Sequence, residues 1–239
     1  MSDEILADLD AVSGSRHALY SFLSRLFEKE LTEEILKELQ EKTDALSQLG
    51  TLKGLGNKKL NAGLEDLDSF MKSSRSGQRN ELQKSLAVEF AGLFQGAWPK
   101  STHPSESAYT QGTKSAKERK REQVAEAYKS VGLDKASSFN EPEDHVAVEL
   151  QFMSYLAKET MNAAKARDVA KSLELLKVQQ KFLKNHLGRW AGLLAVDVSR
   201  QAKSAFYKGA ALIAAGFVEE DLRTVEDFIE DMGPSTKGA

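Results

Sequence analysis

The stretch Glu141-Pro142-Glu143-Asp144-His145-Val146-Ala147-Val148-Glu149-Leu150-Gln151-Phe152-Met153 constrains the fold of this chain more than any other segment. Proline suits the first helical position, because its φ is fixed near the helical value and the N–H it lacks is not needed there. Glu141, Glu143 and Asp144 put negative charge at the positive end of the helix dipole. His145 follows, with Glu149 one turn later on the same face. Beyond them Val146, Val148, Leu150, Phe152, Met153 and Leu156 spread round most of the circumference, and a helix apolar nearly all round is a buried helix. The pattern predicts a central helix opening at Pro142, with ionisable groups gathered at its N-terminal rim.

The rest of the chain is helical in period. Leu19, Phe22, Leu23, Leu26 and Phe27 form an apolar stripe within a first helix over about 6–29. Thr32 opens a second helix with Ile35, Leu36 and Leu39 inward, and the glycines at 50, 54, 56 and 63 mark a flexible connection. Further helices are expected over about 64–72, 80–94 and 113–131, the last capped by Gly132. After the central helix come 168–186, 190–198, 201–215 and 219–232. The best strand candidate, Leu193 to Val198, lies among helices. The expectation is an all-α, bundle-like domain of roughly nine or ten helices over residues 1–232, with 233–239 as a frayed tail.

Between Gln95 and Gly112 no helical period survives. Structureless loops this long are uncommon in compact domains and are often functional. Trp98 and Tyr109 argue for order, because disordered segments are poor in aromatics. If the domain divides, it divides here, into subdomains 1–112 and 113–232.

Composition removes several classes. There are no cysteines, so disulfides and thiolate metal sites are excluded. A net charge of −3 gives no general attraction to nucleic acid or anionic membrane. The acidic start Met1-Ser2-Asp3-Glu4 does not resemble a signal peptide, and no apolar run spans a membrane. A soluble cytoplasmic protein is expected.

Residues able to carry chemistry are few. His145 and Glu149, four apart on one face, have a spacing that can hold a metal, and a metal-dependent hydrolase using them is one alternative function. No third ligand or supporting shell accompanies them, which favours a capping role. Asp144 and His145 would make a general-base pair, but no Ser, Cys or Gly-rich phosphate loop joins them. Lys114, Lys117, Arg119, Lys120 and Arg121 are interleaved with Glu118 and Glu122 and read as a solvated face. Trp98, Pro99, Pro104 and Tyr109 beside an acidic rim suit a peptide that is part basic and part apolar, or simply pin the loop.

Glu141-Pro142-x-Asp144-His145-x-x-x-Glu149-Leu150-x-Phe152-Met153 resembles the signature of the TorD/DmsD family of redox-enzyme maturation chaperones. Similar pieces follow the same order: Arg16-x-x-Leu19-Tyr20-x-Phe22-Leu23, Glu89-Phe90-x-x-Leu93-Phe94-x-Gly96, Pro104-x-Glu106-Ser107-x-Tyr109, Gln180-x-Phe182-Leu183-x-x-His186-Leu187-x-x-Trp190, and Phe206-Tyr207-x-Gly209. Where the family commonly has an aromatic after the loop proline, this chain has Ser105.

The resemblance implies an all-helical, non-enzymatic chaperone without a cofactor of its own. Its expected partners are the twin-arginine signal peptide and the apo form of a molybdenum-cofactor oxidoreductase, whose export it delays until the cofactor is inserted. The positions it points to for peptide binding are Asp144 and His145 first, then Glu141, Pro142, Glu106, Ser107, Tyr109, Trp98, Phe94 and Tyr20. Carboxylates would face the arginines and aromatics the apolar part. A related type assembles a cytoplasmic nitrate-reductase subunit without export. The resemblance leaves open a guanine nucleotide, transient contact with the molybdenum cofactor, and a monomeric or dimeric state.

Overall fold

The architecture follows from how two long apolar helices, one at each end of the chain, find partners in the middle. A computed structural model describes residues 3–32, 35–36, 56–74, 79–99, 102–135 and 139–233. Among them are nine helices: α1 Asp3–Glu28, α2 Lys58–Ser74, α3 Arg79–Phe94, α4 Glu106–Tyr109, α5 Lys114–Lys129, α6 Val146–Lys165, α7 Val169–Asn185, α8 Leu187–Gln201 and α9 Ala205–Met232. No strand occurs among the described residues; Ser105 and His145 form one isolated antiparallel bridge. None of the described helices is long and apolar enough to cross a membrane.

The central helix is buried as its composition requires. Val146, Ala147, Leu150, Met153, Leu156 and Ala157 of α6 are all within the core. Helix α1 is its main partner, and Leu19, Leu23, Leu26 and Phe27 of α1 are themselves buried. Polar bonds fix the seam: Ser24 Oγ donates to Ala147 O at 2.8 Å, and Ser154 Oγ donates to His17 O at 3.0 Å. Helix α9 packs against α2, α8 and α7. A buried network joins α9 to α1 and α7. The Arg16 guanidinium contacts Asp221 through Nε (2.5 Å) and Nη2 (2.9 Å), Nη2 also reaches Gln179 Oε1 (2.5 Å), and Tyr20 OH donates to Asp221 Oδ2 (2.6 Å).

Several boundaries differ from expectation, each for a physical reason. Helix α2 begins at Lys58 rather than near Leu64, because Asn57 Oδ1 accepts from the N–H groups of Lys59 (3.0 Å) and Leu60 (3.1 Å) and caps it. Gly63 is therefore helical, not part of a flexible connection. A Cβ there would lie 2.7 Å from Gly209 O and 2.8 Å from Ile213 N, so glycine is what lets α2 and α9 cross this closely. The expected break between 215 and 219 is absent. Gly216 instead brings α9 against Leu60, whose backbone nitrogen a Cβ would meet at 2.5 Å.

The central helix starts at Val146, not Pro142. Pro142 opens a turn in which His145 N–H donates to Pro142 O (3.1 Å), and His145 is held extended by its bridge to Ser105. Within the loop expected to lack regular structure, α4 supplies one helical turn. Thr32 does open a helical turn, its hydroxyl accepting from Ile35 N–H at 3.3 Å, with Ile35 and Leu36 buried. Leu39, Gly50, Gly54 and the tail beyond 233 lie outside the described residues.

Candidate functional site

Helix α6 begins with backbone N–H groups that no earlier turn can satisfy. The loop before α4 supplies the acceptors. Val146 N–H donates to Pro104 O (2.8 Å), and Glu106 N–H donates in return to Asp144 O (2.9 Å). His145 accepts from Ala147 N–H at Nδ1 (3.2 Å), so its neutral ring carries the proton on Nε2. Burial, with the charge of Lys135 adding to it, pulls the His145 pKa down to about 4. The ring is a neutral helix cap packed against the edge of Phe139, 5.4 Å between centroids. Further back, Thr102 donates through both N–H and Oγ1 to Leu93 O at 2.8 Å, tying the loop to the end of α3.

Side chains complete the clasp. Asp144, 0% exposed, accepts from the Ser107 N–H at Oδ2 (2.6 Å). Arg121 of α5 places Nε 3.5 Å from Asp144 Oδ1 and donates to Ser107 Oγ at 3.1 Å. Glu106, 3% exposed, accepts from His186 Nδ1 (2.9 Å) at the junction of α7 and α8 and faces Lys120 Nζ at 3.5 Å. Glu149 accepts from Trp190 Nε1 at 3.1 Å, and the Tyr109 ring stacks on Trp190 at 5.6 Å and 26°. Tyr128 OH donates to Glu143 O (2.8 Å) and closes the cluster from α5.

Three buried carboxylates so close cannot all be charged at ordinary cost. Burial, reinforced by Glu106, pushes the Glu149 carboxyl well above the usual range, and Asp144 adds to it. Burial likewise raises the Tyr128 phenol, and the Glu149 carboxyl adds to it in the same direction. The arrangement holds no nucleophile set against a base. Among the described residues no group of three or more His, Cys, Asp or Glu stands at metal-binding geometry, and His145 Nδ1 and Glu149 Oε2 are already committed to internal bonds.

Of the positions named from the sequence, the structure gathers Glu106, Ser107, Tyr109, Asp144 and His145 in this cluster. Pro142 sits half-buried on its approach. Glu141 is exposed, its carbonyl accepting from Lys135 Nζ. Three positions lie elsewhere. Tyr20 belongs to the Arg16–Asp221 network and is 0% exposed. Phe94 packs among Phe27, Phe90 and Tyr207. Trp98 covers Gly92, where a Cβ would meet Cε2 at 2.1 Å, and carries Lys203 Nζ 4.3 Å above its ring.

Lys120, Arg121, His186, Trp190 and Tyr128 complete the cluster; none was named as a binding position from the sequence, although Lys120 and Arg121 stood in the basic run and His186 and Trp190 in a family-like piece. The basic run was read as a solvated face, which holds for Lys114 and Glu118, exposed and 3.8 Å apart. Lys120 could have been found by spacing, since it shares a helix face with Val124 and Tyr128, both buried.

Residues 57–196 match the family model described as the nitrate reductase delta subunit. Curated relatives extend the similarity over nearly the whole chain. Chaperone protein TorD of Vibrio cholerae serotype O1 (strain ATCC 39541 / Classical Ogawa 395 / O395) is 28% identical over 230 residues, 95% of this chain and 99% of the relative. The protein of the same name from Psychrobacter sp. (strain PRwf-1) is 28% identical over 223 residues, 92% of this chain and 96% of its own. That from Salmonella bongori (strain ATCC 43975 / DSM 13772 / NCTC 12419) is 27% identical over 224 residues, 92% and 95%.

Proposed function

Because the chain belongs to the nitrate reductase delta subunit family, we propose that it is a cytoplasmic chaperone in redox-enzyme maturation. Its clients are the twin-arginine signal peptide and apo form of a molybdenum-cofactor oxidoreductase, held back from export until the cofactor is in place. The proposed chaperone unit spans residues 1–232. Relatives matching nearly end to end are named chaperones, which supports the general role.

The observation that carries the reading is the convergence of Glu106, Ser107 and Tyr109 with Asp144 and His145. They lie more than thirty residues apart in sequence yet meet through the 2.6 Å bond from Ser107 N–H to Asp144. A buried charged cluster is weak as a source of stability, because desolvation offsets most of the attraction. Its use here is to fix the loop before α4, the start of α6 and the aromatic pair Tyr109–Trp190 in one rigid arrangement. A preorganised surface of this kind binds a flexible peptide without a further ordering cost on its own side.

A second reading takes its lead from the family model's description as a nitrate reductase delta subunit: a chaperone of the related type, which assembles a nitrate-reductase subunit without export. Size-exclusion chromatography with apo catalytic subunits, with and without their leader, separates the two. The first reading expects a complex only when the leader is present. Co-elution with the leaderless subunit would favour the second, and no complex with either would remove the chaperone assignment.

A further inference from the structure

Building on the peptide-binding reading above, we propose that the client peptide does not lie on the Asp144 cluster itself. Its seat is the groove between the end of α1, the start of α6 and residues 133–135 with Phe139. Glu28 and Asp134 receive the arginines there, and Leu133, Phe139, Val148 and Tyr155 receive the apolar stretch.

The acids inside the cluster are already engaged. Asp144 is held by Ser107 and Arg121, and Glu106 by His186 and Lys120. An arginine reaching either one must displace those partners and open the loop that they clasp. An acceptor for a peptide guanidinium should be an exposed carboxylate beside apolar surface.

The groove meets that description. It encloses about 390 Å³, within the size range of small-ligand and side-chain pockets. Its walls are mainly aromatic and aliphatic, with Phe152 and Tyr128 at the base. Glu28 and Asp134 both line it, both are exposed, and neither has an ion-pair partner among the described residues. The one cation in the lining, Lys135, is turned to the carbonyls of Phe139 (3.0 Å) and Glu141. Two free acids against one tethered lysine leave the groove complementary to a basic, apolar segment.

The groove is also coupled to the cluster. Phe139 lines it and packs on the His145 ring, while Ala147 and Val148 of its wall directly follow that cap. The clasp at Asp144 and His145 thereby sets the shape of a groove that it does not line, and its residues act as positioning residues.

The test is a calorimetric titration of full-length protein with a synthetic twin-arginine signal peptide, comparing wild type with Glu28→Lys/Asp134→Lys. A photo-crosslinking residue at exposed Gln151 in the groove, and another at Leu193 on α8, report where the peptide lies. The expected result is a loss of affinity of at least about tenfold in the double variant, with crosslinks at 151 and none at 193. Wild-type affinity in the double variant, or bound peptide that crosslinks only at 193, overturns the groove assignment and leaves the chaperone role standing. Absence of peptide binding by the wild type overturns both together. Crosslinking of 151 to a second copy of the chain without peptide would assign the groove to self-association instead.

Discussion

Asp144 Oδ2 lies 2.6 Å from the backbone nitrogen of Ser107, so one buried carboxylate spans the 37 residues between the loop and the turn that opens α6. A fully buried Asp144 cannot be reversed in charge without harm, since a lysine there would leave an uncompensated buried cation. The informative change is Asp144→Asn, which keeps the shape and an acceptor but weakens the charge-assisted bond. We expect a stability loss of about 1–3 kcal/mol in urea denaturation, with faster amide exchange across 102–110. Unchanged exchange there would show that the bond does not hold the loop.

His145 gives the protein a stability loss on the acid side. Its folded pKa is drawn down to about 4, whereas the unfolded ring takes up a proton near its ordinary value. Below that value the unfolded state binds more protons, so stability falls as pH drops from about 6.5 towards 4. His145→Asn keeps a good N-cap and removes the titration. Relative to this variant, the wild type should lose about 2 kcal/mol between pH 7 and pH 5, measured by denaturation at each pH. Parallel profiles would contradict the burial of a neutral ring.

Glu149 acts in the opposite sense. Its folded pKa is raised, first by burial and then by Glu106, so above the ordinary glutamate range folding takes up a proton and stability falls as pH rises. Glu149→Gln retains an acceptor for the Trp190 N–H and carries no charge. The variant should gain on the wild type as pH rises above the ordinary glutamate range. A wild type that equals it throughout would mean that Glu149 is ionised when folded.

The crossing of α2 and α9 predicts an asymmetry between two helical glycines. Gly63→Ala should destabilise by about 1–3 kcal/mol, because its methyl group meets backbone of α9 on a face that cannot move independently. Gly14→Ala in α1, whose methyl would meet only Met161 Sδ at 3.4 Å, should be neutral or stabilising by up to about 1 kcal/mol. Thermal denaturation of both variants checks the pair.

The parts of this molecule that could be read from residues alone are those where a single physical demand acts. Helix α6 was legible because apolar side chains on all sides admit only a buried helix. Gly63 and the stretch between 215 and 219 were misjudged because glycine serves both to break a helix and to let two helices touch, and only the partner, Gly209 for Gly63 and Leu60 for Gly216, decides between them. Lys120 and Arg121 looked like solvated charge because their partners, Glu106 and Asp144, arrive from other elements. Tyr20, Phe94 and Trp98 were named alongside the cluster residues but pack in separate places. Glu28 and Asp134 carry no mark in the sequence at all, since an exposed acid acquires meaning only from the apolar surface beside it.

The central claim is that this chain binds the signal peptide of an oxidoreductase, and calorimetric titration tests it most directly. Synthetic twin-arginine signal peptides from several molybdoenzymes are each paired with a control in which two lysines replace the arginines. Micromolar or tighter binding of one peptide, weakened at least about tenfold in its control, is the predicted result, because lysine cannot make the paired guanidinium bonds to a carboxylate. Equal affinity for peptide and control, or none for any peptide in the panel, would contradict the account.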